Sequence, residues 1–128
     1  MADNEINVII ATSGDLSFLD SWRPYLSKQT LIIVAFGAQP SSVPEGFHHI
    51  LYTRKDAEAI LGAHITLLGT DLASAKAFGM LVSKARYVFT LDEDCVVAMD
   101  TEGQPVDPVG HHLRNLSTPS TPYYFNTL

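Results

Sequence analysis

The chain has 128 residues, 46% of them apolar and 17% charged, the balance of a folded domain and not of a disordered or fibrous chain. Eight Lys and Arg against fourteen Asp and Glu leave a net charge of −6, and the basic residues form no stripe that could track a polymer of phosphates, which argues against nucleic acid as a partner. Cys95 is the only cysteine, so an intrachain disulfide and a multi-cysteine zinc site are both excluded.

The acidic start Met1-Ala2-Asp3-Asn4-Glu5 lacks the basic flank and apolar run of a secretory signal. No stretch approaches the ~18–20 apolar residues that a membrane span requires. The expectation is a cytosolic chain without membrane insertion.

Ile6 to Ala11 is β-branched and apolar almost throughout, the pattern of a strand buried on both faces of a parallel sheet. Thr12-Ser13-Gly14-Asp15 supplies a turn and a helix cap. Leu16, Leu19, Trp22 and Leu26 follow at helical spacing, with Pro24 expected to kink or end that helix. Leu31 to Phe36 reads as the second strand, and the loop after it carries Gly37, Pro40, Pro44 and Gly46. His49 to Tyr52 predicts a short strand, Asp56 to Leu61 a short helix stopped by Gly62, and Ile65 to Leu68 a further brief strand. Asp71 caps a helix from Leu72 to about Lys84, with Leu72, Ala75, Gly79 and Val82 on one face. Arg86 to Leu91 is the next strand, taken as a central one. Val96 to Met99 extends pairing ahead of a turn at Asp100 to Gly103. Val109 to Leu116 is a weak helix, and Ser117 to Pro122 a loop.

Strands alternating with helices predict an α/β fold with a mostly parallel sheet and flanking helices, organised as one domain over residues 1–128. Ligands of such sheets sit outside the carboxyl ends of the strands, so the residues after Ala11, Phe36 and Leu91 are where chemistry is expected. Asp92, Glu93 and Asp94 stand there. Two carboxylates about 6 Å apart repel by roughly 3 kcal/mol at an effective dielectric near 20, and a hard cation such as Mg²⁺ or Mn²⁺ relieves that cost. In an extended segment Asp92 and Asp94 project to one side and Glu93 to the other, so the outer pair can share one ion. The same three residues also suit a solvated acidic turn. Ser13 and Gly14 offer amides that could cradle a phosphate, though one glycine makes no phosphate loop.

Other residues read more plainly. His48-His49 and His111-His112 are adjacent pairs whose side chains diverge, which favours surface or partly buried histidines over metal ligands. Cys95 reads as a small core residue, Trp22 with Phe18 and Leu19 as a stripe packed on the sheet, and Arg23 as one half of an exposed salt bridge.

Several blocks fall in a familiar order: Phe18-Leu19-x-x-Trp22-Arg23-Pro24-Tyr25-Leu26, Leu31-Ile32-Ile33-Val34, Val43-Pro44-Glu45-Gly46-Phe47, Phe78 to Lys84, Asp92-Glu93-Asp94-Cys95 and Tyr124-Phe125-Asn126-Thr127-Leu128. From about Ile6 onward the chain resembles the plant and algal reversibly glycosylated polypeptides, which include the UDP-arabinopyranose mutases. The resemblance implies a glycosyltransferase-A-like, Rossmann-like fold, here the N-terminal part of the family's catalytic domain. It also implies binding of a UDP-sugar with Mn²⁺ or Mg²⁺, interconversion of UDP-arabinopyranose and UDP-arabinofuranose, and reversible glycosylation on an arginine. Homo- or hetero-oligomers, and a cytosolic location often at the Golgi surface, belong to the same expectation. The site residues it implies are Thr12, Ser13, Asp92, Glu93 and Asp94, with Asp92 and Asp94 on the metal. The chain departs from the family pattern at Gly14, where an arginine is usual, at Phe36 in place of an aspartate, at Lys76 in place of an arginine, and at Glu93 in place of the middle aspartate. Those departures, with the shorter length, keep open a non-catalytic scaffold subunit as the alternative.

Overall fold

A computed structural model of the chain describes residues 5–37, 39–40 and 42–118. The predicted loop from Pro119 to Pro122 and the block Tyr124 to Leu128 lie outside the described residues. Contacts divide the chain into two compact units, Met1–Val96 and Val97–Leu128.

The first unit is built on four parallel strands: β1 (Ile6–Ala11), β2 (Thr30–Ala35), β3 (His48–Thr53) and β4 (Tyr87–Thr90), in the order β3-β2-β1-β4. Helices α1 (Leu19–Leu26), α2 (Arg54–Leu61) and α3 (Leu72–Val82) lie in the connections. The α/β arrangement expected from the alternation of elements is therefore present. Chain order runs outward from β1 to β3 and then jumps back to β4 on the other side of β1, a topological switch point.

β1 and β2 carry the core because both of their faces are dry. Val8, Ile9, Ile10, Leu31, Ile33 and Val34 are fully buried. On one face Ile9, Ala11, Ile32, Val34 and Phe36 pack with Ala57, Ala75 and Phe78. The strand after α3 differs from expectation. β4 is an edge strand among the described residues, and its side chains alternate between half-buried and exposed, with Val88 44% exposed. An edge strand has one hydrogen-bonded neighbour, here β1, and its outer side gains nothing from continuous apolar residues.

Three further expectations are corrected locally. Ile65 to Leu68 is not a strand: Gly62–Leu67 forms a 3-10 helix. Val96 to Met99 forms no strand either, only an isolated antiparallel bridge from Met99 to Pro105. The helix after β1 begins at Leu19, not at Leu16, because Leu16 and Ser17 accept single-turn bonds from Leu19 and Asp20. Pro24 lies inside α1, which ends two residues later. By contrast α2 begins where its chemistry dictates, since Thr53 and Asp56 form a reciprocal capping box.

In the second unit the side chain of Asp100 accepts from the amides of Glu102 and Gln104, closing the turn at Gly103. Helix α4 (Pro108–Ser117) starts with Pro108 in its first turn and Asp107 capping Gly110 N. Among the described residues no helix is long and apolar enough to cross a membrane.

α3 seats on β1 through Gly79, where a Cβ would fall well inside van der Waals contact distance of Ile9 Cγ2. Overpacking of this kind costs roughly 1–3 kcal/mol, while replacing a helical glycine by alanine returns about 1 kcal/mol. Gly79→Ala is accordingly expected to lower stability by about 1 kcal/mol and Gly79→Val by more, read as urea midpoints. Unchanged midpoints in both variants would show that α3 does not approach β1 this closely.

Candidate functional site

The carboxyl end of β1 runs directly into Thr12, whose amide donates to Val34 O at 3.0 Å and so continues the ladder one residue beyond the strand. Thr12 is only 2% exposed, the one buried polar side chain of the described core. Its hydroxyl accepts from Gly14 N at 2.9 Å and donates to Glu93 Oε2 at 2.9 Å. Ser13 adds two more donors to the same carboxylate, its amide at 3.1 Å and its hydroxyl. Gly14 sits at φ 135°, a backbone conformation that residues with a side chain rarely adopt. The amides expected to be open for a phosphate are thus already bonded, and α1 starts five residues after Gly14.

Burial works to raise the Glu93 pKa, but the hydrogen bonds from Ser13 and Thr12 outweigh it and hold the carboxyl below its ordinary range. Asp15, nearby, acts weakly in the opposite sense.

A cleft of about 270 Å³ opens beside this turn, between the ends of β1 and β2 and the start of α3. Thr12, Ser13, Phe36, Gly37, Thr70 and Asp71 line it, with Leu72 and Ala75 of α3. Leu72, expected on the buried face of α3, is 46% exposed at the mouth. The Phe36 ring forms part of the wall and does not fill the cleft: it packs on Phe78 with centroids 5.6 Å apart, and Tyr52 meets Phe78 edge-on at 5.5 Å. Arg54 covers Phe36 at 5.1 Å and donates to Gly69 O at 2.6 Å, Leu68 O at 2.8 Å and Ile65 O at 3.3 Å. One guanidinium therefore ties the segment leading into α3 against the end of β2. Sequence reasoning passed over Arg54 because its acceptors are backbone carbonyls 11 to 15 residues away, and no side-chain motif marks them.

The acidic triplet is not extended. Cys95 N bonds back to Asp92 O at 3.1 Å, which closes a turn and removes the alternation that would place Asp92 and Asp94 on one side. Asp92 instead accepts from Lys76 Nζ of α3 at 2.6 Å, Glu93 reaches Thr12 and Ser13, and Asp94 is exposed. The structure thus joins three of the five expected site residues, Thr12, Ser13 and Glu93, and leaves Asp92 and Asp94 outside that knot. Among the described residues no three His, Cys, Asp or Glu side chains gather as a metal-binding group. His49 and His111 are exposed, with Arg114 donating to His111.

Trp22 is buried as expected, and its indole N–H also donates to Cys95 O at 3.1 Å, anchoring α1 to the last residue of the acidic turn. Cys95 itself is half-buried, not core, because it lies in that turn and not in a strand. Arg23 forms the expected exposed pair with Asp20 at 2.7 Å.

A parallel sheet with strand order 3-2-1-4 and a cleft at its carboxyl edge belongs to the doubly wound α/β class. Within that class, the family model of reversibly glycosylated polypeptides matches residues 1–128, and the chain belongs to that family. UDP-arabinopyranose mutase 1 of Arabidopsis thaliana is 42% identical over 127 residues, covering 98% of the chain and 36% of the relative. UDP-arabinopyranose mutase 1 of Oryza sativa subsp. japonica is 42% identical over 127 residues, with 98% and 35% covered. UDP-arabinopyranose mutase 3 of Arabidopsis thaliana is 40% identical over 131 residues, with 100% and 36% covered. The chain thus spans about a third of the length of these curated relatives.

Asp71 both lines the cleft and caps α3, accepting from Ser74 N at 2.7 Å. Hydrogen bonds from the Ser74 side chain and amide hold its carboxyl below the ordinary value of 3.8. A depressed folded pKa adds stability that is complete above pH 3.8 and is lost as pH falls through the lowered value. Asp71→Ala is therefore expected to lower Tm by roughly 4 °C at neutral pH, with the gap to the parent chain closing in acid. A gap that is as wide near pH 2 as at pH 7 would show that the ionised cap contributes nothing.

Proposed function

We propose that the cleft binds the UDP portion of a UDP-sugar and that Asp92 and Asp94 hold Mn²⁺ or Mg²⁺ beside it. The observation that carries this reading is a single edge: the cleft and the acidic turn both lie at the carboxyl ends of the parallel strands, joined through Thr12 and Ser13 on either side of the switch point. Carboxylate oxygens are the donors that hard divalent ions prefer, so the two acids fit such an ion in chemical kind; sharing it requires Lys76 to give up Asp92 and the turn closed by Cys95 N to rearrange so that the two side chains converge. Bound there, the ion would supply charge neutralisation for a departing diphosphate.

The chain's own residues contribute in other ways. Phe36 lines the cleft with an apolar side chain that cannot accept hydrogen bonds, so contact on that wall is by packing. Arg54 keeps the wall in place. Thr70 and Asp71 add polar groups at the start of α3. Its relatives carry the name UDP-arabinopyranose mutase and its family the name reversibly glycosylated polypeptide; in this reading the reaction served is interconversion of UDP-arabinopyranose and UDP-arabinofuranose with self-glycosylation, this region supplying the nucleotide side and further chain or partner subunits the sugar side. The second reading is a non-catalytic subunit of a larger complex. It is favoured by one observation, that Lys76, Thr12 and Ser13 already have carboxylate partners within the chain.

Thermal denaturation with UDP and Mn²⁺ decides between the two. Ligand at a hundred times Kd adds about 2.7 kcal/mol and raises Tm by roughly 8–12 °C. Gly37→Phe places a ring in the cleft from a position whose added Cβ meets only Thr70 O at 3.8 Å; it is expected to abolish the shift while leaving the ligand-free Tm nearly unchanged. Asp92→Asn with Asp94→Asn is expected to remove the part of the shift that depends on Mn²⁺. No shift with UDP and metal together leaves the non-catalytic subunit as the function.

A further inference from the structure

The turn after β1 offers three hydrogen-bond donors to one point: the Thr12 hydroxyl, the Ser13 amide and the Ser13 hydroxyl. That is the donor set of an oxyanion site, and the chain's own Glu93 carboxylate occupies it from 80 residues away in sequence. The geometry is not that of a chance surface contact. Thr12 is held by its amide bond to Val34 O and by Gly14 N on its hydroxyl, and the hydroxyl proton is directed to Glu93. Both donor residues also line the cleft.

We infer that Glu93 is a built-in competitor for anionic ligands: the Thr12–Ser13 turn is a phosphoryl-binding site held shut by this carboxylate, and an exogenous phosphoryl group enters as Glu93 leaves. The inference rests on the cleft being the ligand site proposed above and names how that site is regulated. Two consequences follow from charge alone. A phosphoryl oxygen must displace a charge-assisted set of bonds before it gains its own, and until Glu93 swings away it also meets a like charge. The occluded state further ties the end of β1 to the turn after β4, so opening the site loosens the carboxyl edge between those two strands.

Isothermal titration of inorganic pyrophosphate into the full chain in metal-free buffer tests this without the nucleotide. Glu93→Gln, which keeps the shape and removes the charge, is expected to bind pyrophosphate about tenfold more tightly than the parent and to melt at lower temperature. Adding Ser13→Ala to it should cancel the gain in affinity. Glu93→Asp, which keeps the charge on a shorter arm, serves where Glu93→Gln does not fold, and is expected to fall between the two. Equal or weaker pyrophosphate binding by folded Glu93→Gln, or by Glu93→Asp where it stands in, overturns the inference, as does absence of binding in every form. UDP titrations keep the two ideas apart. If the variants gain pyrophosphate affinity but no form binds UDP, the gate stands and the nucleotide reading falls. If UDP binds the parent and Glu93→Gln equally and pyrophosphate shows no gain, the nucleotide reading stands and the gate falls.

Discussion

The burial of β1 on both faces from Val8 onward is the constraint from which the site follows. β1 is hydrogen-bonded to β2 on one side and β4 on the other, and its side chains from Val8 to Ile10 are fully buried. A strand buried on both faces and paired along both edges cannot shift register without moving polar backbone into the core or apolar side chains out of it. Its carboxyl end is for that reason a fixed point. Thr12 inherits that rigidity through its bond to Val34 O, and the turn, the cleft and the contact with Glu93 are all placed relative to it.

Around that point each of three charged groups has a partner within the chain. Asp92 meets Lys76, Glu93 meets hydroxyl and amide donors, and Arg54 meets carbonyls and an aromatic face. None of these cations is deeply buried, so each pair is exchangeable at modest cost. A dry core beneath and an exchangeable polar layer above is what a ligand site needs: the first holds the geometry, and the second can trade internal partners for external ones.

Family membership and local chemistry bear on different questions. The match over the whole chain establishes descent. The local chemistry then shows what this chain does at three of its positions: Gly14 takes a backbone angle that favours glycine, Phe36 joins an aromatic cluster, and Lys76 pairs with Asp92.

The amino-acid order alone was enough for β1, β2, α3 and the α/β class, because near-continuous β-branched runs and a capped amphipathic pattern are local signals that burial reinforces. It also marked Thr12, Ser13 and the acidic triplet as belonging to one end of the sheet. It failed where the deciding partner was remote. Ile65 to Leu68 has strand composition, yet it falls in and just after a 3-10 turn, and the carbonyls of Ile65 and Leu68 are held by Arg54. β4 reads like a central strand, yet pairing on one side only leaves it half exposed. The acidic triplet looked extended, and a turn redirected its side chains so that Glu93, not the outer pair, meets the end of β1. Side-chain direction at a strand end is set by contacts tens of residues away, so only the tertiary structure could decide it.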